Sequence, residues 1–179
     1  LHSNRPEAAP VLRSLSLDYT RAFVSWIAGE VGPREAVLGR AQKFTYRLVP
    51  EIRTGDPGFD RLRLAMPSRA EGDSLVLRLN GAEVEPLDVQ ITPDSLVVQL
   101  PRTVRREEVE LDFHVSVVDN PYLFVASVGR TQQPGLWQEV VSASRFASTV
   151  LLPEVAGSAQ LIHNLAIRPA VLTPNGDGV

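Results

Sequence analysis

Three side chains with chemical reach stand at every second position of one run: Glu110, Asp112 and His114. In a strand, such residues project from one face at roughly 7 Å spacing, which suits a metal site or an acid–base cluster. The same alternation lines the solvent face of any half-exposed strand with charge, and that plainer reading is preferred here. The other two histidines, His2 and His163, have no acidic neighbour close in sequence. His163 falls in step with Leu161, Leu165 and Ile167 and reads as a hydrogen-bonded histidine on an apolar face.

A second group is aromatic. Tyr122 and Phe124 share a face by the period of two, and Trp137 reads as part of a loop flanked by Gln132, Gln133 and Gln138. Aromatic faces stack on sugar rings and amides hydrogen-bond hydroxyls, so Tyr122, Phe124, Trp137 and Gln138 form a candidate ligand site for glycans. The opposing expectation is that large aromatics fill cores, each burying about 150 to 250 Å². A third group, Asn175 and Asp177 with Gly176 and Gly178, has oxygens at alternate positions and glycines for a sharp turn, as a calcium loop does. A full loop needs further ligands, and a plain turn is the stronger expectation.

No His-Glu-x-x-His helix, Gly-x-Ser-x-Gly elbow, phosphate-binding loop or dinucleotide fingerprint occurs in the sequence. The acid pairs Glu107-Glu108 and Glu83/Glu85 point only weakly to glycoside hydrolysis. We therefore expect no enzyme and no cofactor. With no cysteine, the chain has neither disulfides nor thiolate chemistry. The formal net charge of −3 is spread over interspersed acids and bases, leaving no basic stripe to neutralise phosphates, so nucleic acid is not an expected partner. No apolar run reaches the roughly 18 to 20 residues of a membrane span.

The elements that must position these residues read as strands. Apolar residues alternate with polar ones at Leu15, Leu17 and Tyr19, at Phe44, Tyr46 and Leu48, and at Leu62, Leu64 and Met66. The run 23–28 fits either a strand or a helical turn. Asn80-Gly81 predicts a type I′ hairpin, because both central positions of that turn need positive φ. Pro93-Asp94 predicts a second hairpin. Val109, Leu111, Phe113, Val115 and Val117 form the clearest strand, and a slip of one residue would turn Glu110 and Asp112 into the core. Further strands are expected over 122–128, 140–144, 148–152 and 161–167.

About ten closely spaced strands without intervening helices predict antiparallel pairing. The expected fold is all-β, an antiparallel two-sheet β-sandwich with jelly-roll or immunoglobulin-like Greek-key links. Two smaller sandwiches dividing near 67–73 are the alternative. The expected organisation is an N-terminal arm over 1–10, the sandwich over 11–168 and a junction over 169–179.

The run Thr173-Pro174-Asn175-Gly176-Asp177-Gly178-Val179 resembles the start of the immunoglobulin-like C-terminal modules of secreted bacterial proteins, the gliding-motility-associated and flagellar-hook-cap-like types. The body resembles the uncharacterised β-rich domains that precede such modules. The resemblance implies export, an extracytoplasmic, secreted or cell-surface location, and a non-catalytic structural or interaction module. Its implied partners are other domains of the same polypeptide or other extracellular proteins, and a carbohydrate-binding module is the alternative.

Overall fold

The structure, a computed structural model, describes residues 22–153. Expectations for the strands at 15–19 and 161–167, for His2 and His163, for the turn at Asn175 and Asp177, and for the terminal arm and junction lie outside these residues. Of the run 23–28, where the sequence left strand and helical turn open, residues 23–25 form a bend and 26–28 open a strand, β1, Trp26–Gly32. It pairs with β2, Ala41–Glu51, whose Phe44, Tyr46 and Leu48 point inward and are buried. The alternating strand is β8, Val109–Ser116, and it lies between β2 and β4, Val76–Leu79, in the middle of a six-stranded sheet.

The Asn80-Gly81 hairpin joins β4 to β5, Ala82–Val84, with φ of 51° and 78° as a type I′ turn requires. The Asn80 Oδ1 also accepts the Glu108 N–H at 2.8 Å, which ties the turn to the start of β8. The second sheet holds β3, Phe59–Ala65; β6, Asp88–Ile91; β7, Ser95–Val104; β10, Ala126–Arg130; and β11, Gln133–Glu139. Its order is β11-β10-β3-β7-β6, with the second hairpin joining β6 to β7 as the sequence predicts.

The chain crosses from one of these two sheets to the other between β2 and β3, β3 and β4, β5 and β6, β7 and β8, and twice more after β8, giving a two-sheet sandwich with Greek-key links. Strands before residue 67 pair with strands after it: β2 with β8, and β3 with β7 and β10. One buried cluster runs from Phe23 to Leu152, so the described residues form one sandwich and not two.

Two expectations need correction. Residues 122–128 are not one strand: β9, Tyr122–Leu123, pairs with β13, Thr149–Val150, whereas β10 joins the five-stranded sheet. The break falls where the Phe124 N–H turns to Ser148 O and Val125 O turns to the Ala65 N–H, both at 2.8 Å. Pairing is also not wholly antiparallel, because β12, Val141–Ser142, runs parallel to β1. Pro134 and Gly135 are tolerated in β11 because it lies at the sheet edge, where a missing ladder donor costs nothing.

Candidate functional site

The alternation of β3 sends Leu62 and Leu64 into the core and Arg61 and Arg63 to the outer face of the five-stranded sheet. Register then sets their neighbours. Gly129 of β10 pairs with Arg61 on one side and with Trp137 of β11 on the other. One pleat further, Ser127 pairs with Arg63 and with Glu139.

Because Gly129 has no side chain, the indole of Trp137 lies directly against it: a Cβ there would stand 3.0 Å from the ring Cε3 and 3.1 Å from Leu136 O. The ring reaches β3, where Arg61 Cζ is 4.8 Å and Arg63 Cζ 4.5 Å from its centroid, both in cation–π range. Arg63 Nε donates to Ser127 Oγ at 3.1 Å. Among the described residues neither guanidinium pairs with a carboxylate. A groove of about 340 Å³ opens beside Arg63, with Ser127, Glu139, Asp94 and Ser95 on its walls and Ala65 and Val125 supplying apolar surface.

The outer face of the other sheet is built differently. Cross-strand register aligns Glu30, Arg47, Glu110, Arg78 and Glu83 in one row across five strands, with alternating sign. Arg47 closes on Glu108 with a short two-pronged contact, and Glu30 sits 3.4 Å from it. In the next row Asp112 is only 2% exposed, which corrects the expectation of a solvated carboxylate. Lys43 Nζ at 2.9 Å and Arg78 Nη1 at 2.8 Å lie over it, and Thr45 Oγ1 donates to it at 2.6 Å. Burial works against its charge, but the hydrogen bonds from Thr45, Lys43 and Arg78 outweigh burial and hold the carboxyl at about 2.

The Glu110, Asp112 and His114 triplet thus shares a face, as its spacing requires, but Arg47, Arg78 and Lys43 are interleaved with it. Among the described residues no three metal-ligating side chains converge. The His114 Nδ1 is buried without a hydrogen-bond partner among those residues.

The four candidate ligand residues do not form one site. Phe124 is buried, packing at 5.6 to 5.7 Å against Phe44 and Phe113, so it offers no ring face to a ligand. Tyr122 is half-buried and meets Phe124 edge-on at 4.9 Å. Burial, with the Asp119 carboxylate adding to it, pushes the Tyr122 hydroxyl up to about 12. Gln138 faces inward: its Oε1 accepts from the Phe23 and Val24 N–H at 2.7 and 3.1 Å, and its Nε2 donates to Val24 O at 2.9 Å. It joins the edge of one sheet to the segment entering the other. Trp137 lies on β11, not in a loop, and its ring is occupied by the two arginines. Arg61 and Arg63 were legible only as polar positions of a strand, and the one signal for their partner is a glycine inside the β10 run.

A second surface lies where β9 and β13 meet. Leu123, Phe146 and Leu151 are 54%, 57% and 49% exposed, and a mainly apolar cavity of about 460 Å³ opens between Pro121, Phe146, Thr149, Leu151 and Arg34. Pro153 lines a smaller groove alongside, with Glu35 and Val37.

No protein-family model and no curated protein matches the chain. Among solved structures it is similar to a DUF4466 family protein from Parabacteroides merdae, with 12% identity and a TM-score of 0.43 over 65% of this chain and 42% of that one. It is similar to BcpA, the major pilin subunit of Bacillus cereus, with 14% identity and a TM-score of 0.47 over 70% and 39%. An uncharacterised immunoglobulin-like protein from Nocardia farcinica aligns with 12% identity and a TM-score of 0.38 over 70% and 96%. The chain thus spans about two-fifths of the length of the first two.

Proposed function

We propose that this chain is a non-catalytic structural and interaction module of an exported bacterial protein, one that docks its neighbour through the apolar corner at β9 and β13. The observation that carries this reading is the exposed pair Phe146 and Leu151 around one apolar cavity. Contiguous apolar surface of that kind marks a contact with another macromolecule. The occupant is a neighbouring module of the same polypeptide, which covalent linkage keeps at high effective concentration. Export is supported by the resemblance of the Thr173–Val179 run to the opening of secreted C-terminal modules.

The test is small-angle scattering on the chain joined to a C-terminal module of the kind whose opening the Thr173–Val179 run resembles, with and without the substitutions Phe146→Asp and Leu151→Asp. A compact pair that becomes extended in the double variant is expected. Identical scattering from the two would refute the assignment.

A further inference from the structure

We infer that the outer face of the five-stranded sheet binds an acidic saccharide, with its carboxylate on Arg61 and Arg63 and its hydroxyls in the groove beside them. The inference goes beyond the docking reading and names a ligand class for a face that the docking corner does not use.

The two outer faces of the sandwich treat their cations differently. On the six-stranded sheet, Lys43, Arg47 and Arg78 each meet a carboxylate. On the five-stranded sheet, the positions flanking Arg61 and Arg63 in β10 are Gly129 and Ser127, and an indole takes the place of the acid. An indole holds the flat face of a guanidinium and leaves its N–H edge unspent. Arg63 uses only Nε, toward Ser127, and Arg61 makes no side-chain hydrogen bond among the described residues. Two N–H forks held in place by one ring suit a single planar carboxylate.

The groove selects what carries that carboxylate. Glu139 and Asp94 line it, so a polyanion crowding the groove would be repelled, whereas hydroxyls find acceptors there. The Asp94 Oδ1 is already engaged by Thr92 Oγ1 at 2.7 Å, and Ser95 Oγ lies 2.8 Å from the same hydroxyl, so this wall is held in place before any ligand arrives. Ala65 and Val125 provide apolar contact for a ring edge. One acid among several hydroxyls is the chemistry of a uronic acid residue.

The experiment uses the full 179-residue chain carrying Trp26→Phe, which leaves Trp137 as its single indole reporter. Fluorescence titration with methyl galacturonoside, which carries one carboxylate, neutral methyl galactoside and a glutamate-containing peptide separates the sources of a carboxylate. Saturable binding of methyl galacturonoside is expected, with affinity at least about tenfold lower for the neutral sugar and for Arg61→Gln or Arg63→Gln. Arg61→Gln removes no hydrogen bond among the described residues, and an unchanged melting temperature shows that it folds normally. No binding of methyl galacturonoside, equal binding of the neutral sugar, tighter binding of the peptide, or full affinity in Arg61→Gln would each overturn the inference. None of these results touches the scattering test of the apolar corner, so the two proposals fail separately.

Discussion

Replacing Asp112 by asparagine tests the electrostatics of the six-stranded sheet most sharply. The amide still accepts from Thr45 Oγ1 but presents no charge to Lys43 Nζ or Arg78 Nη1. A carboxyl held at about 2 against an ordinary 3.8 contributes about 2 kcal/mol to stability at neutral pH. The direction of the shift sets the sign. A lowered folded value means the contribution is complete above the unfolded carboxyl range and is lost as pH falls through about 2. Urea denaturation of wild type and Asp112→Asn should therefore differ by about 2 kcal/mol at pH 7, or roughly 4 to 8 °C in Tm, and by roughly half a kcal/mol at pH 2. Equal stability at pH 7, or a gap that ignores pH, would show that the three contacts do not act on the carboxylate as described.

Gly129→Ala sets a methyl against the Trp137 ring and Leu136 O, so it should destabilise by about 1 to 3 kcal/mol and shift the Trp137 emission, both measurable in one thermal melt. Gln138→Leu leaves the Phe23 and Val24 N–H groups without their acceptor, at a cost of about 1 to 3 kcal/mol. Hydrogen exchange should quicken at those two amides first.

How much of this was readable beforehand depended on whether local pattern or register set the feature. The alternation over 109–117 gave β8 its strand and its inward face, and Asn80-Gly81 gave the hairpin, because steric limits on φ act within a few residues. The burial of Asp112 was not readable, since it depends on Lys43, Thr45 and Arg78 from two other strands folding over it. Likewise the grouping of Tyr122, Phe124, Trp137 and Gln138 failed because spacing in sequence does not say which sheet face is the interior. Phe124 turned out to complete the Phe44 and Phe113 cluster, and Gln138 became a substitute for backbone at the sheet edge. Trp137 found its place through Gly129, whose missing side chain is a signal only once β10 and β11 are known to be neighbours.

Collisional quenching of Trp137 in the Trp26→Phe chain probes the Arg61 and Arg63 face most directly. Two guanidiniums over one indole should gather anions, so the ratio of iodide to caesium quenching should exceed that of free N-acetyltryptophanamide, and Arg61→Gln with Arg63→Gln should bring it back toward the free value. A ratio at or below that of the free indole in the unsubstituted face would contradict the account.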